Sequence, residues 1–287
     1  MATLPLYLYN ESLKGDTMRK ELTILDLINF LETVAPNKIA FGWDNTGLLI
    51  GEENTVVKRV LLTVDVTVKV VDYAIEKGFD TILSHHPLFL QPLRKINDPL
   101  YMKIIRNRIN VYTMHTNLDL VSEGVSRALA DRLELTEIKV IPNTGVDSLL
   151  NEEEYTGEQL GLGLIGNLAK EMELKDFAIF VKERLGANFV KLWPAASRVD
   201  LKVSRIGVCG GNGSSLIDVV SPYVDVFVSS DFTYHKILES RIPLIDAGHF
   251  HTEFPIMKTL QEKIEKLSIE VEVYDPKLAE INKLIII

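Results

Sequence analysis

Residues 58–86 read "KRVLLTVDVTVKVVDYAIEKGFDTILSHH". The run "RVLLTVD" (59–65) has the continuous apolar character of a buried strand. Residues 67–77 place Val68, Val71 and Ile75 at helical spacing, and "DTILS" (80–84) is a second apolar strand. A strand, a helix and a strand in this order predict a parallel βαβ unit, and so an α/β fold. The unit ends on His85 and His86. Neighbours on a strand point to opposite faces, so two adjacent imidazoles cannot reach one point from regular β structure. Pro87 prevents the strand from continuing in a regular ladder.

On the N-terminal side, Thr23 is the expected N-cap of a helix whose apolar face is Ile24, Leu27, Ile28 and Leu31. "FGWDNTGLLIG" (41–51) breaks that pattern with three glycines. On the C-terminal side, Asp98 and Pro99 predict the start of a helix running through Arg108. "INVYTMHTNLD" (109–119) is a strand running into polar residues, and Ser122 is the expected cap of a helix carrying Val125, Leu129 and Leu133. "NEEEYTGEQ" (151–159) reads as an acidic loop and "DFAIFVKERLG" (176–186) as a helix.

Residues 204–231, "SRIGVCGGNGSSLIDVVSPYVDVFVSSD", repeat the order of the opening stretch. Arg59 corresponds to Arg205, and Asp80 and Ser84 to Asp225 and Ser229. This faint internal βαβ duplication predicts two related α/β lobes. A last helix with Ile256, Leu260, Ile264 and Leu267 on one face precedes a strand, "IEVEVYD" (269–275).

Composition narrows the functional classes. The chain has 287 residues, 46% of them hydrophobic, enough for one large or two ordinary α/β cores. A net charge of −9 argues against non-specific nucleic-acid binding, which needs a basic surface. The apolar runs are strand-sized, far short of the ~20 residues that span a membrane. Cys209 is the single cysteine, which excludes a disulfide framework and a thiolate metal cage. The N-terminus has neither a continuous apolar core nor an Arg-rich amphipathic pattern, so a reducing, cytoplasmic setting is expected. Because Met18 precedes the first helix, residues 1–17 are expected to be an appendage to the fold.

The six histidines are His85, His86, His115, His235, His249 and His251. All follow predicted strands, and in parallel sheets the crevice beyond the strands' carboxyl ends is where ligands bind. Asp119, Asp231 and Glu253 accompany them. Imidazole with carboxylate suits Zn, Fe, Mn, Co or Ni. His249 and Glu253, four apart, share one face of a helical turn. The divergence of His85 and His86 suits two ions sharing a bridging carboxylate better than one. An isolated histidine pair or an HxxxE spacing is a weak signal, since both are common on solvated surfaces. "CGGNGSS" (209–215) reads as a tight turn, and without the Lys-Ser/Thr of a P-loop it is no NTPase signature. Joint placement at strand ends carries the metal reading.

"WDNTGLLIG" (43–51), "SHHPLF" (84–89), "HTNLD" (115–119) and "IDAGHFHTE" (245–253) resemble, in this order, the signature blocks of the Nif-three-like family of dinuclear-metal-centre proteins. Members often carry the name GTP cyclohydrolase I type 2 homologue. The likeness extends from about residue 20 to 275. It implies an α/β fold of two interleaved lobes, here 18–134 with 240–287 as the metal-binding lobe and 135–239 as the second. It also implies a toroidal homohexamer built from dimers and two divalent metal ions per subunit, with Zn, Fe or Mn expected. The metal positions carried over are His85, His86, Asp119, His249 and Glu253, with Glu253 as the bridge. One ion would take His85 and Asp119, the other His86 and His249. His115, His235 and Asp231 are the expected catalytic or proton-shuttling groups, and His251 is expected to point elsewhere. The expected activity is hydrolysis of a nucleotide or other phosphorylated metabolite. The rival expectation is a non-catalytic metal-binding hexamer acting as carrier or regulatory factor. Two departures stand out: "SSD" (229–231) replaces the usual Thr-Gly before the acid, and "GLGLIGNL" (161–168) lacks the basic residue often found there. The short central segment leaves no room for the inserted domain of some members.

Overall fold

In chain order the first half runs α1 (Ile24–Val34), β1 (Gly47–Ile50), β2 (Arg59–Thr63), α2 (Val68–Lys77), β3 (Thr81–Ser84), α3 (Pro99–Arg106), β4 (Asn110–Thr113), α4 (Thr116–Leu120), α5 (Val125–Arg132) and β5 (Thr136–Val140). After β6 (Leu164–Glu173) the second half repeats that order. It runs α6 (Leu174–Leu185), β7 (Lys191–Trp193), β8 (Lys202–Asn212), α7 (Ile217–Val220), β9 (Val226–Ser230), α8 (Tyr234–Glu239), β10 (Leu244–Asp246), α9 (His249–Glu253), α10 (Pro255–Ile264) and β11 (Glu270–Val273). The structure is a computed structural model that describes residues 21–142, 144, 160–195 and 200–284. The expected appendage 1–17 and the acidic loop 151–159 lie outside the described residues.

Local chemistry sets most boundaries. Thr23 and Asp26 form a capping box at the start of α1. Thr67 accepts from Val70 N to start α2, and Asp98 accepts from Leu100 N to start α3. The expected Ser122 cap is corrected. The N-cap of α5 is Gly124, where a Cβ would fall 1.9 Å from the Leu118 carbonyl oxygen, so the chain can pass there only as glycine.

The strands form two mixed sheets, ordered β1-β4-β3-β2-β11 and β5-β6-β8-β9-β10-β7. In each, three consecutive strands are parallel (β2, β3, β4 and β8, β9, β10), flanked by an antiparallel edge strand, β1 or β7. The duplication reaches single hydrogen bonds. Asp80 accepts from Lys58 N and Arg59 N at 2.9 and 3.1 Å. Asp225 accepts from Ser204 N and Arg205 N at 2.9 and 2.8 Å. At the other end of the strands, Met114 N bonds Ser84 O while Ala247 N bonds Ser229 O.

Alternation along the strands fills both faces of each sheet. Val60 and Leu62 pack with α1 and α10, whereas Leu61 turns to α2 and α3. The two halves exchange their last elements. β11 pairs with β2, so the end of the second half completes the first sheet, and β5 joins the second sheet through β6. β10 lies in the second sheet, and the strand that returns to the first sheet, β11, comes after it. Among the described residues no helix is long and apolar enough to cross a membrane.

Candidate metal centre

The carboxyl ends of the two parallel strand sets bring their histidines and acids together. His85 and His86 follow β3, where Pro87 ends the ladder; their amides still bond Thr63 O and Val64 O, which fixes the backbone at the turn. Asp119 stands on α4 after β4, and His249 and Glu253 stand on α9 after β10. The first sheet thus supplies three of the carried-over positions and the second sheet supplies two.

Glu253 is the centre. Its Oε1 lies 3.0 Å from His249 Nε2 and 3.5 Å from His85 Nε2, and its Oε2 lies 3.1 Å from His86 Nε2. His85 Nε2 is 3.7 Å from Asp119 Oδ1, and the Nε2 atoms of His86 and His249 are 3.3 Å apart. Both adjacent histidines therefore face one point, each on a different side of the Glu253 carboxylate. Ligand atoms of His85, His86 and Glu253 fall within 4.8 Å of one another, so this group can hold a metal ion.

Each of the three imidazoles is held from behind at Nδ1. His85 Nδ1 bonds the Met114 carbonyl at 2.9 Å, His86 Nδ1 bonds Asp65 Oδ1 at 2.7 Å, and His249 Nδ1 bonds Asp231 Oδ2 at 2.5 Å. An Nδ1–H given to oxygen leaves Nε2 as a lone pair aimed inward, the tautomer that ligates metal. His85 is fully buried, and its Nε2 and Glu253 Oε2 lack a hydrogen-bond partner. Buried polar atoms without partners are costly, and a cation among these donors satisfies both. The donor set fits a divalent metal.

The electrostatics agree. Burial opposes the charge on Glu253, yet the three imidazoles outweigh it and hold the carboxyl well below the ordinary range. Burial likewise opposes protonation of His86 and His249, but Asp65 and Glu253 carry His86 up to about 10, and Glu253 and Asp231 carry His249 up to about 9. Burial, opposed by His85 and reinforced by Glu253, raises Asp119. Cys209, buried beside the cluster, is pushed by burial up to about 12 and lines the cavity as a neutral thiol.

The remaining candidates separate. His115 lines the same cavity; its Nδ1 bonds Asp44 Oδ1 at 2.8 Å, and its ring stands edge-on to His85 and His86. Asp44 also accepts from Thr116 N and Oγ1. Burial raises its carboxyl, but the His115 and Thr116 hydrogen bonds prevail and hold it at about 2. Asp231 is engaged with His249, with a left-handed backbone (φ 55°) where the sequence departs from its resemblance. His235 is exposed on α8 against Tyr234 and is not among the described residues that line the cavity. His251 turns to the opposite side of α9, among Phe250 and Asn282, as expected.

Three contributors carry little mark in the sequence. Asp65 and Asp44 are ordinary acids in a strand end and a glycine-rich loop. Gly211, inside the stretch that reads as a tight turn, has φ +65°, and a Cβ there would meet Glu253 Oε1 at 2.3 Å and His249 Nε2 at 3.1 Å. That glycine leaves room for the cluster.

An α/β molecule whose paired sheets close on a histidine–carboxylate cluster is the class defined so far. A family model described as Duf34/NIF3 (NGG1p interacting factor 3) matches residues 22–278, and the chain belongs to that family. It is 31% identical over 272 residues to a Clostridium acetobutylicum protein named GTP cyclohydrolase 1 type 2 homolog, covering 92% of this chain and 97% of the relative. The crystal structure of a Staphylococcus aureus protein superposes with a TM-score of 0.81 at 29% identity, covering 93% of this chain and all of that one. A Bacillus cereus protein related to NIF3 superposes with a TM-score of 0.79 at 25% identity, again over 93% of this chain and all of that one.

Proposed function

We propose that this protein is a metal-dependent hydrolase of a small metabolite, with two divalent ions held by His85, His86, Asp119, His249 and Glu253. The observation that carries the reading is the convergence of three imidazoles on Glu253, with the buried His85 Nε2 and Glu253 Oε2 left without a hydrogen-bond partner. When bound, two such ions supply Lewis acidity and an activated water near neutral pH. Oriented by Asp44, His115 is the described histidine of the cavity outside the carried-over metal positions, and it accepts or returns a proton there. Asp65 and Asp231 keep His86 and His249 in the ligating tautomer. Ring opening of a purine, which the relatives' name suggests, is one hydrolysis that this machinery can serve. A homohexamer is part of the same reading, and light scattering on the 32.3 kDa chain tests it.

The test is turnover on a panel of nucleosides, nucleotides and phosphoesters, with metal-loaded protein compared to Glu253→Gln. Metal-dependent hydrolysis that the variant lacks is the expected outcome. Equal rates in both reject the proposal, and bound metal without turnover favours the carrier reading.

A further inference from the structure

The cavity beside the cluster has a volume of about 430 Å³, within the range that encloses a small-molecule ligand. One wall is aromatic. Phe41 and Trp43 have ring centroids 5.9 Å apart, and Trp43 meets His115 edge-on at 6.0 Å. Trp43 is 54% exposed, a large apolar ring left in water at the mouth of a polar site. The end of β8 and the turn that follows it line the same cavity. There Asn212 uses Oδ1 to accept from Ser214 N, and exposed Asn212 and Ser215 both line the cavity. The described lining residues include Asp119 and Glu253 but no Lys or Arg. A phosphate chain thus finds no cationic side chain on this wall, whereas a flat ring finds a stacking face and a polar edge.

We infer that the cavity recognises a planar heteroaromatic compound by its ring, stacked on Trp43 with its polar edge turned to Asn212 and Ser215. The inference rests on the cavity's being the substrate pocket of the proposed hydrolase. Asp44, the neighbour of Trp43 in sequence, is tied to His115 and Thr116, so the stacking face is anchored to the same bond that orients the cavity histidine.

The sequence has two tryptophans, and Trp193 packs on Phe232 outside the cavity, so Trp193→Phe leaves Trp43 as the sole tryptophan. Its emission is titrated with guanosine, adenosine, uridine and a pterin, with ribose 5-phosphate on chelated protein as the comparison, and calorimetry repeats the titrations on the parent chain. At least one ring compound is expected to quench saturably, while ribose 5-phosphate does not bind. In calorimetry Trp43→Ala weakens that ring by at least about tenfold and Trp43→Phe by no more than about threefold, as stacking on an aromatic face requires. Ring binding is expected to persist on chelated parent protein that has lost its metal and its turnover, which separates this inference from the hydrolase reading. Saturation by none of the four, unchanged affinity in Trp43→Ala, or ribose 5-phosphate binding as tightly as a ring overturns it.

Discussion

Asp65 makes one hydrogen bond that matters to the cluster, at 2.7 Å to His86 Nδ1. Replacing it by Asn leaves the bond's shape but removes the charge that fixes the tautomer. Asp65→Asn is therefore expected to weaken metal binding by about 10–100-fold, measured by chelator competition; unchanged affinity would show that Asp65 does not orient His86. The raised His86 and His249, about 10 and 9, are protonated in metal-free protein at pH 7. Metal binding must displace those protons, so the calorimetric enthalpy of metal titration is expected to vary with the buffer's ionisation enthalpy. In the metal-free protein the sign for stability is the opposite of a carboxylate's. The contribution of these pairs is complete below the ordinary histidine value and lost as pH rises through about 9 to 10. Asp44 runs the other way: held at about 2, it stabilises above the ordinary carboxylate range, and the effect is lost as pH falls through its folded value. Asp44→Asn is expected to cost roughly 1–2 kcal/mol at pH 7 after allowing for solvent screening. The gap in urea-unfolding free energy should narrow between about pH 4 and 2.

At the scale of elements, the end of β8 with the turn that follows it and the short helix α9 are fitted to each other. Gly211→Ala drives a methyl into Glu253 and His249 and adds left-handed strain. The expected result is loss of bound metal by elemental analysis with an unchanged far-ultraviolet dichroism spectrum; a variant that still binds metal fully would show that the turn yields. Helices and parallel strands were legible in the sequence because periodicity, Thr23 and Asp98 each act within a few residues. The histidine cluster was legible for a related reason, since strand ends are marked by where apolar runs stop. Asp65, Asp44 and Gly211 were not, because their roles come from contacts across the fold, as between Asp44 and His115. The position of His235 was hidden for the same reason: it follows β9, but α8 carries it to solvent.

For the whole molecule, the exchange of terminal elements decides how it folds. Ile256, Met257, Leu260, Ile264 and Val271 complete the core that Leu27, Val60 and Leu62 begin. Five buried side chains at roughly 1.5–3 kcal/mol each contribute on the order of 10 kcal/mol, comparable with the whole stability of an ordinary domain. A fragment comprising residues 18–134 is therefore expected to stay unfolded alone, and to give a dispersed proton NMR spectrum only when 135–287 is supplied. Dispersion from the isolated fragment would show that the exchange is dispensable.

Because one sheet carries His85, His86 and Asp119 while the other carries His249 and Glu253, a cation seated there spans the seam between them. It acts as a rivet. Any motion that parts the sheets must first strip the ion of one side's donors, so occupancy and opening exclude each other. An ion that binds only the closed arrangement adds its binding free energy to that arrangement. Slow amide exchange along the seam, at the ends of β3 and β9, then becomes a gauge of how many rivets are in place.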